Sequence, residues 1–301
     1  MQLDQGSFFA FVGCGLMGGI SHRDPQVISD GRYDMSQQSK TFEPEEKQDR
    51  DVSPPHAAER VGRYFGNPKN YLDIRRYIIE IRKETVQEFI RGQNFSRVLD
   101  IGCGDGSISV PLLTLENRLT LLDISPEMLS RARQRVSSDL INNVEFINQD
   151  LMTAPLETGS YDLIICIGVL AHVRTPATVI AKIASLLAPG GMLILECTDA
   201  AHFSNHVFVF IAKMRSLFQP VGYRTCPISA QFVIGTANQQ GLNLASVYRH
   251  NLALPTMRRF LTQSTLHKMV RWVFGTVEQN RNVWLGKECL FLFTRSSSSG
   301  K

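Results

Sequence analysis

Short apolar runs alternate along this chain with longer stretches in which apolar residues recur at helical spacing. The short runs are almost continuous in aliphatic residues, which is typical of strands buried on both faces of a sheet. The longer stretches have the pattern of amphipathic helices. The predicted strands cover residues 97–101, 118–122, 144–149, 161–168, 192–196, 243–250 and 288–295, and the clearest predicted helices cover 71–90, 176–187 and 229–240.

The order of these elements predicts an α/β fold. Strand and helix alternate between residues 97 and 196, which favours a parallel sheet covered by helices on both faces. In sheets of this kind, ligands bind beyond the carboxyl ends of the strands. The residues that follow each predicted strand are therefore the first candidates for a functional site.

A glycine-rich turn follows the first predicted strand, which carries Asp100 near its end. Gly102, Gly104 and Gly106 are separated by single residues. Glycine lets the backbone approach a ligand closely, because it has no side chain. Residues 107–113 regain apolar periodicity and predict a helix whose first amides point back at the turn. The whole stretch is thus predicted as strand, glycine turn and helix.

Acidic residues follow the second and third predicted strands. Asp123 ends the second strand, where a carboxylate can accept both hydroxyls of a nucleoside ribose. Ser125 is placed to cap the helix that follows. Asp150 and Leu151 end the third strand, where a carboxylate and an apolar side chain can bind and cover an adenine edge. Three strand ends therefore converge on one predicted nucleoside site.

Composition narrows the functions to be considered. The chain has 301 residues, of which 43% are hydrophobic, so it can bury a substantial core in one elaborated domain. The net charge of +4 is mild and well mixed, which gives no argument for nucleic acid as a partner. Six cysteines are scattered without a C-x-x-C pair, which favours reduced thiols and a cytoplasmic location. No apolar run is long enough to predict a transmembrane segment.

Three regions differ in composition. Residues 1–55 are polar and predict a flexible N-terminal extension. Within it, residues 13–18 match the spacing of a dinucleotide-binding turn, but a predicted turn follows them instead of a helix, so we do not assign a site there. Residues 56–95 predict helices that cap the nucleoside site, and residues 96–301 form the predicted main domain.

Two insertions interrupt the main domain. Residues 199–228 carry five aromatic residues and predict an apolar lid over an apolar second ligand, with a core-facing helix over 207–218 as the alternative. Residues 255–283 mix apolar and basic residues and predict an amphipathic helix packed on the sheet. For this second insertion, a surface for peripheral membrane contact or for an acidic acceptor is the alternative.

The motifs together resemble those of class I S-adenosylmethionine-dependent methyltransferases. The resemblance rests on the glycine turn, Asp123, Asp150-Leu151, the strand at 161–168 and the sequence of residues 187–191, in that order. Residues 169–173 resemble the small-molecule branch that includes quinone C-methyltransferases. A nicotinamide-binding domain is the alternative, but its turn has the spacing G-x-G-x-x-G. The resemblance implies a Rossmann-like seven-stranded sheet, mostly parallel with an antiparallel last strand, covered by helices on both faces and a helical lid.

The resemblance also implies S-adenosyl-L-methionine as the cofactor and assigns residues to it. Gly102, Cys103 and Gly104 are expected against its methionine part, and Asp123 on its ribose hydroxyls. Asp100 is expected to act through a water or by ordering the turn. The other implied contacts are Ile124 and Leu151 on the two faces of the adenine, Asp150 on its amine, Met128 nearby, and the backbone of Ile167 and Gly168 on the amino group.

Methyl transfer from a sulfonium needs alignment and the exclusion of water, and it needs a base only where the acceptor loses a proton. His172, after the fourth strand, is the candidate base, and the alternative is that it only holds its loop. His202 and His206 stand four residues apart near Asp199, and we favour acceptor contact over a metal site for them. The predicted acceptor pocket comprises Tyr64, Tyr71, His202, Phe203 and His206, and no metal is predicted.

The sequence therefore predicts methyl transfer to oxygen, nitrogen or carbon of a small, partly apolar acceptor. A non-catalytic protein that binds S-adenosylmethionine and acts as a partner or regulator is the alternative from another functional class. Methylation of RNA or protein is disfavoured, because the charge is mild and no basic aromatic patch occurs.

Overall fold

The computed structural model of the chain describes residues 76–204, 228–252 and 261–297. Several predicted features lie outside these ranges. They are the extension 1–55, most of the capping helices expected over 56–95, the pocket residues Tyr64, Tyr71 and His206, and most of the insertion 199–228.

The described residues form one seven-stranded sheet. Its strands are β1 Arg97–Ile101, β2 Arg118–Leu122, β3 Val144–Ile147, β4 Tyr161–Cys166, β5 Leu187–Thr198, β6 Leu242–Leu252 and β7 Gly286–Arg295. The order across the sheet is β3-β2-β1-β4-β5-β7-β6. Strands β1 to β5 pair in parallel, whereas β7 is antiparallel to both β5 and β6. The predicted sheet and its antiparallel last strand are confirmed.

Five α-helices of the described residues cover this sheet. They are α1 Arg76–Phe89, α2 Pro126–Arg135, α3 Pro176–Leu186, α4 Ala230–Gln239 and α5 Gln263–Phe274. Three of them begin with a hydroxyl that accepts a backbone amide, as expected for N-caps: Ser125 from Met128, Ser229 from Phe232 and Thr262 from Thr265.

The hydrophobic core lies in two layers, one on each face of the sheet. On one face, α3 and α4 bury residues such as Ile180 and Val233 against the strands. On the other, α1, α2 and α5 bury residues such as Ile81, Leu129 and Phe274. Strands covered on both faces read as continuous apolar runs, which is why the pattern located them well.

The helix predicted over residues 107–113 is wrong. Only a single 3-10 turn, Val110–Leu112, forms there. Pro111 lacks an amide to extend a helix, and the side chain of Asn117 ends the turn. Its amide nitrogen donates to the carbonyl of Leu112 at 2.9 Å, and its oxygen accepts the amide of Thr114 at 2.9 Å. The chain then enters β2 directly.

The second insertion contains the predicted amphipathic helix, α5. It buries Leu266, Val270 and Phe274 against the face of the sheet that carries α1. Arg271 pairs with Glu84 at 2.7 Å and with Glu88 at 2.9 Å, both on α1. One basic residue of this insertion is therefore used for internal packing of the two helices.

Candidate functional site

The glycine turn after β1 is held against the end of β2. The amides of Gly102 and Cys103 both donate to the carbonyl oxygen of Leu122, at 2.8 and 3.2 Å. Gly102 has a φ of +69°, and a Cβ on it would lie 2.4 Å from Cγ2 of Val169. Backbone conformation and a neighbouring side chain thus both require glycine here. The turn brings β1, β2 and the segment after β4 into contact.

Asp123 joins the glycine turn to the start of α2. Its Oδ2 accepts the amide of Gly104 at 2.8 Å, and its Oδ1 accepts the amide of Ser125 at 2.8 Å. Burial raises the pKa of Asp123, and the amides of Ser125, Gly104 and Ile124 oppose that rise. The carboxylate is therefore fixed in place at the corner between two strand ends, and its contact with ribose remains a prediction.

Asp105, inside the turn, fastens it to α2 a second time. Its carboxylate pairs with the guanidinium of Arg135 and accepts the amide of Ser107 at 3.2 Å. Arg135 Nε also donates to the carbonyl oxygen of Asp105 at 3.0 Å. The turn is thus rigidly held before any ligand binds, which lowers the entropy cost of binding one.

Asp100 lies beneath this turn and is 3% exposed. Burial raises its pKa to about 7, and the charges of Asp123 and Asp105 add to the rise. The nearby Ser109 hydroxyl opposes it in part, without reaching hydrogen-bond geometry. Burial and the Asp100 charge also raise the pKa of the Cys103 thiol, so this thiol stays neutral. Asp100, just before the turn, and Cys103, within it, are therefore both buried parts of the structure that positions the turn.

The predicted adenine contacts lie at the ends of β2 and β3. Asp150 is exposed, and its Oδ1 accepts the amide of Met152 at 2.8 Å. Leu151 is buried with the core residues of the α3 face, and Ile124 is half-buried. Met128 is buried in the first turn of α2. These side chains lie on neighbouring strand ends, and their contacts with adenine remain a prediction.

β4 ends at Cys166, two residues earlier than predicted, because the chain turns at Gly168, whose φ is +76°. Ile167 is buried beside it. A 3-10 turn, Leu170–His172, follows, and the amide of His172 donates to the carbonyl of Val169 at 2.9 Å. The His172 side chain is half-buried. Its role as a base stays a prediction.

A buried ion pair next to Gly168 was not predicted. Arg82 of α1 donates from Nε to Glu196 Oε1 at 2.8 Å and from Nη2 to Oε2 at 2.6 Å. A Cβ on Gly168 would lie 3.9 Å from both terminal nitrogens of Arg82 and 4.0 Å from Glu196 Oε2. The pair therefore forms the wall behind the turn that follows β4.

His250 of β6 completes this buried group. Its Nε2 lies 3.7 Å from Glu196 Oε1, which is too long for a hydrogen bond but close enough for electrostatic attraction. Nε2 is buried without a hydrogen-bond partner, and the ring stacks on Tyr248 with centroids 5.8 Å apart. Burial alone would raise the pKa of Glu196, but Arg82 and His250 outweigh it and lower that pKa.

The sequence did carry a signal for Arg82. It lies four residues after Ile78 and four before Val86, so it falls on the apolar stripe of its helix. A charged residue on such a stripe needs a buried partner. Glu196 was recognised only as the end of a strand, because the pattern does not show which helix packs over that strand.

The residues after β5 are tied into the edge of the sheet. Asp199 pairs with Arg249 at 2.9 Å and accepts the amides of Ala201 and Ala230 at 3.1 Å each. His202 is buried, with both ring nitrogens in hydrogen-bond contact. Among the described residues, no group of three His, Cys, Asp or Glu side chains is arranged to hold a metal ion.

Hydropathy of the helices gives one further observation. Within residues 76–204, 228–252 and 261–297, no helix is both long enough and apolar enough to cross a membrane.

Known proteins match the part of the chain that contains the glycine turn. Residues 94–242 match the family model of a methyltransferase domain. This part of the chain is a methyltransferase domain. A ubiquinone biosynthesis O-methyltransferase of Xanthomonas oryzae is 37% identical over 102 residues, which are 34% of this chain and 42% of that enzyme. The match thus spans less than half the length of that curated relative.

Solved structures resemble the methyltransferase domain and its flanking elements in fold. The magnesium protoporphyrin IX methyltransferase of Synechocystis, solved with S-adenosylhomocysteine, superposes with a TM-score of 0.56 at 21% identity. The match covers 80% of this chain and 100% of that one. A methyltransferase of Thermotoga maritima gives a TM-score of 0.55 at 16% identity, with 80% and 100% covered. The fold is therefore shared well beyond the residues of the family model.

Proposed function

We propose that this chain binds S-adenosylmethionine at the carboxyl edge of its sheet and transfers the methyl group to a small, partly apolar acceptor. The observation that carries the proposal is the hydrogen bond from the Gly104 amide to Asp123. It joins a glycine turn to a carboxylate at one corner of the sheet, the combination by which nucleotide-binding α/β sheets hold a ribose. The methyltransferase family match and the ubiquinone-pathway relative support the reaction class.

The residues present fit this cofactor. A Cβ on Gly104 would meet no atom within 4 Å, so the backbone there faces open space. A carboxylate has about four acceptor positions. Asp123 uses its two oxygens for backbone amides and keeps capacity for two ribose hydroxyls. In this proposal Ile124, Asp150 and Leu151, at the adjoining strand ends, contact the adenine.

S-adenosylmethionine, when bound, would supply an electrophilic methyl group, whose bond to the sulfonium sulfur would break as the acceptor atom bonds to its carbon from the opposite side, the sulfur leaving as a neutral thioether. The protein has to align the two reactants and exclude water. Arg82 and Glu196 fix α1 against the Gly168 turn, which makes that wall of the site rigid. His172 is our candidate base where the acceptor must lose a proton.

Calorimetry with S-adenosylhomocysteine tests the cofactor, because this product analogue needs no acceptor. We expect one saturable binding event per chain. Turnover of labelled S-adenosylmethionine with phenols, quinones, carboxylates and sugars then tests the reaction. Binding without any turnover would favour the non-catalytic partner, and an absence of binding would overturn the proposal.

The setting of this activity is also part of the proposal. We place the enzyme in the cytoplasm, with small molecules and not nucleic acid as partners. Four described cysteines are free thiols, which suits a reducing compartment: Cys103, Cys166, Cys197 and Cys289. The mild net charge of +4 supports the absence of a nucleic-acid role. Dependence of activity on added RNA would contradict it.

A further inference from the structure

Two exposed aromatic side chains lie together at the edge of the sheet that carries the site. Phe203, five residues after β5, is 50% exposed, and Trp284, two residues before β7, is 64% exposed. Their ring centroids are 5.9 Å apart, with planes inclined by 34°. Thr198 pairs with Glu288, so the end of β5 and the start of β7 lie at the same edge. This is the carboxyl edge, where Asp123 also lies.

His202 holds both aromatic residues in position. Its Nε2 lies 2.9 Å from the carbonyl oxygen of Trp284, so this nitrogen must carry the proton. Its Nδ1 then accepts from the Ser204 hydroxyl at 2.7 Å. Burial lowers the pKa of His202, which keeps this neutral form. A buried histidine thus fastens the turn that carries Phe203 to the turn that carries Trp284.

The size of this aromatic pair argues for a small ligand. A stable protein partner buries about 800 Å² on each side. Two aromatic side chains offer about 150–250 Å² each, part of which is already covered by their mutual contact. That area matches one planar ring system. The buried hydrogen bonds of His202 fix the backbone that carries the two rings. Aromatic side chains have only two χ angles, so little freedom is lost when a ligand stacks on them.

We propose that Phe203 and Trp284 form an aromatic platform that binds a planar, aromatic part of the acceptor. The inference rests on the proposed function, since it concerns the acceptor of the same reaction. The platform restricts the proposed acceptor to compounds with a planar, aromatic ring, such as phenols and hydroquinones. His202 is a positioning residue in this arrangement, because it acts through the two aromatic side chains.

The chain contains only two tryptophans, Trp272 and Trp284, which gives a direct test. Trp272 is 77% exposed on α5, so W272F should fold normally and leaves Trp284 as the single tryptophan reporter. The matched variant W284F leaves Trp272 as the reporter. The probes are catechol and trans-1,2-cyclohexanediol, which share two hydroxyls and differ in planarity. Tryptophan is excited at a wavelength that catechol does not absorb.

We expect catechol to change the emission of W272F saturably, at a concentration about 2- to 10-fold lower than cyclohexanediol requires, as for one aromatic contact. F203L should remove most of that difference in the W272F background. W284F should respond to neither probe. An equal response to both probes, or the same response from Trp272, would overturn the platform.

Calorimetry with S-adenosylhomocysteine on W272F separates this inference from the proposed function. Cofactor-product binding with no catechol response at Trp284 would overturn the platform and leave the methyltransferase proposal intact. Catechol response without S-adenosylhomocysteine binding would show that Phe203 and Trp284 bind an aromatic ring, but it would overturn the proposed function and with it the role of that ring as the acceptor. H202Q provides a second measurement. Loss of the hydrogen bonds that His202 makes to Trp284 and Ser204 should reduce the preference for catechol while both tryptophans remain.

Discussion

The backbone amide of Gly104 donates to Asp123 Oδ2 at 2.8 Å, which links the turn after β1 to the end of β2. The same carboxylate accepts the amide of Ser125 at the start of α2. One side chain thus orders three segments of the chain and is also the residue expected to bind ribose. Structure and ligand binding are therefore coupled at Asp123, and an experiment has to separate them.

Asp123→Ala should weaken S-adenosylhomocysteine binding about 10- to 100-fold, the equivalent of hydrogen bonds to a charged group. Asp162 provides a matched control, because its carboxylate also accepts two backbone amides, from Ser96 and Arg97 at 2.9 Å each. It lies at the opposite, amino edge of the sheet. Asp162→Ala should lower the free energy of unfolding by a similar amount and leave the dissociation constant unchanged. Equal losses of binding in the two variants would contradict a ligand role for Asp123.

Gly102→Ala should disrupt the glycine turn. The positive φ costs roughly 1–2 kcal/mol for a non-glycine residue. The added methyl group would also lie 2.4 Å from Val169 Cγ2, so the segment after β4 has to move. Gly159→Ala is the control, since Gly159 has a φ of +67° and no atom within 4 Å of its Cβ position.

Urea unfolding should show a greater loss for Gly102→Ala than for Gly159→Ala, by about 1–3 kcal/mol for the overpacking. S-adenosylhomocysteine binding should fail in the first variant alone. Similar stability of the two variants would mean that the contact with Val169 is not restrictive.

Asp100 should make stability depend on pH. Its pKa is about 7 in the folded chain, against an ordinary value of 3.8. Between these values the folded state keeps a proton that the unfolded state has lost, so stability falls as pH rises from 4 to 7. The full effect is about 4 kcal/mol, at about 1.4 kcal/mol for each pH unit.

Asp100→Asn removes this titration. The free energy of unfolding of the variant, relative to the unaltered chain, should rise between pH 5 and pH 8. Urea titrations at the two pH values measure the difference, and other titrating groups cancel in the comparison. A constant difference between the two proteins would show that Asp100 is ionised in the folded state.

The parts of the fold that the pattern located are those set by local sequence. Buried parallel strands read as apolar runs, and capping hydroxyls such as Ser125 and Ser229 mark helix starts. The glycine turn and Asp123 were found because each directly follows a predicted strand of the parallel sheet. The segment after the turn was misread, because one proline and the side chain of Asn117 decide it against apolar periodicity.

The unpredicted features depend on contacts between distant residues. Arg82 and Glu196 are 114 residues apart and meet only because α1 packs over the end of β5. Phe203 and Trp284 likewise meet only because β7 inserts antiparallel between β5 and β6. Periodicity reports which side of an element is buried, but it does not report which element covers it. The pattern therefore omits site residues whose partner lies on an element far away in the sequence, such as Arg82 and Trp284.

Arg82 and Glu196 give the most direct test of the wall behind Gly168. Removal of one partner of a buried ion pair costs about 3–5 kcal/mol, since it leaves an unpaired buried charge. Arg82→Met and Glu196→Leu should each be destabilising by that amount, while the double variant should lose much less than their sum. Urea unfolding of the four proteins gives the coupling energy.

Arg97 and Glu157 form the control pair, at 2.7 Å with side chains 42% and 68% exposed. Its coupling energy should stay below about 1 kcal/mol, because solvent screens exposed pairs. In the unaltered chain the pKa of Glu196 is lowered, so the stability from the buried pair is present above the ordinary carboxyl pKa and is lost as pH falls through the lowered value. In Arg82→Met the charge that most lowers this pKa is removed, and only His250 still opposes the effect of burial. The pKa of Glu196 should therefore rise, and the deficit should shrink on acidification. A deficit that does not change with pH would mean that Glu196 is not held as a carboxylate by Arg82.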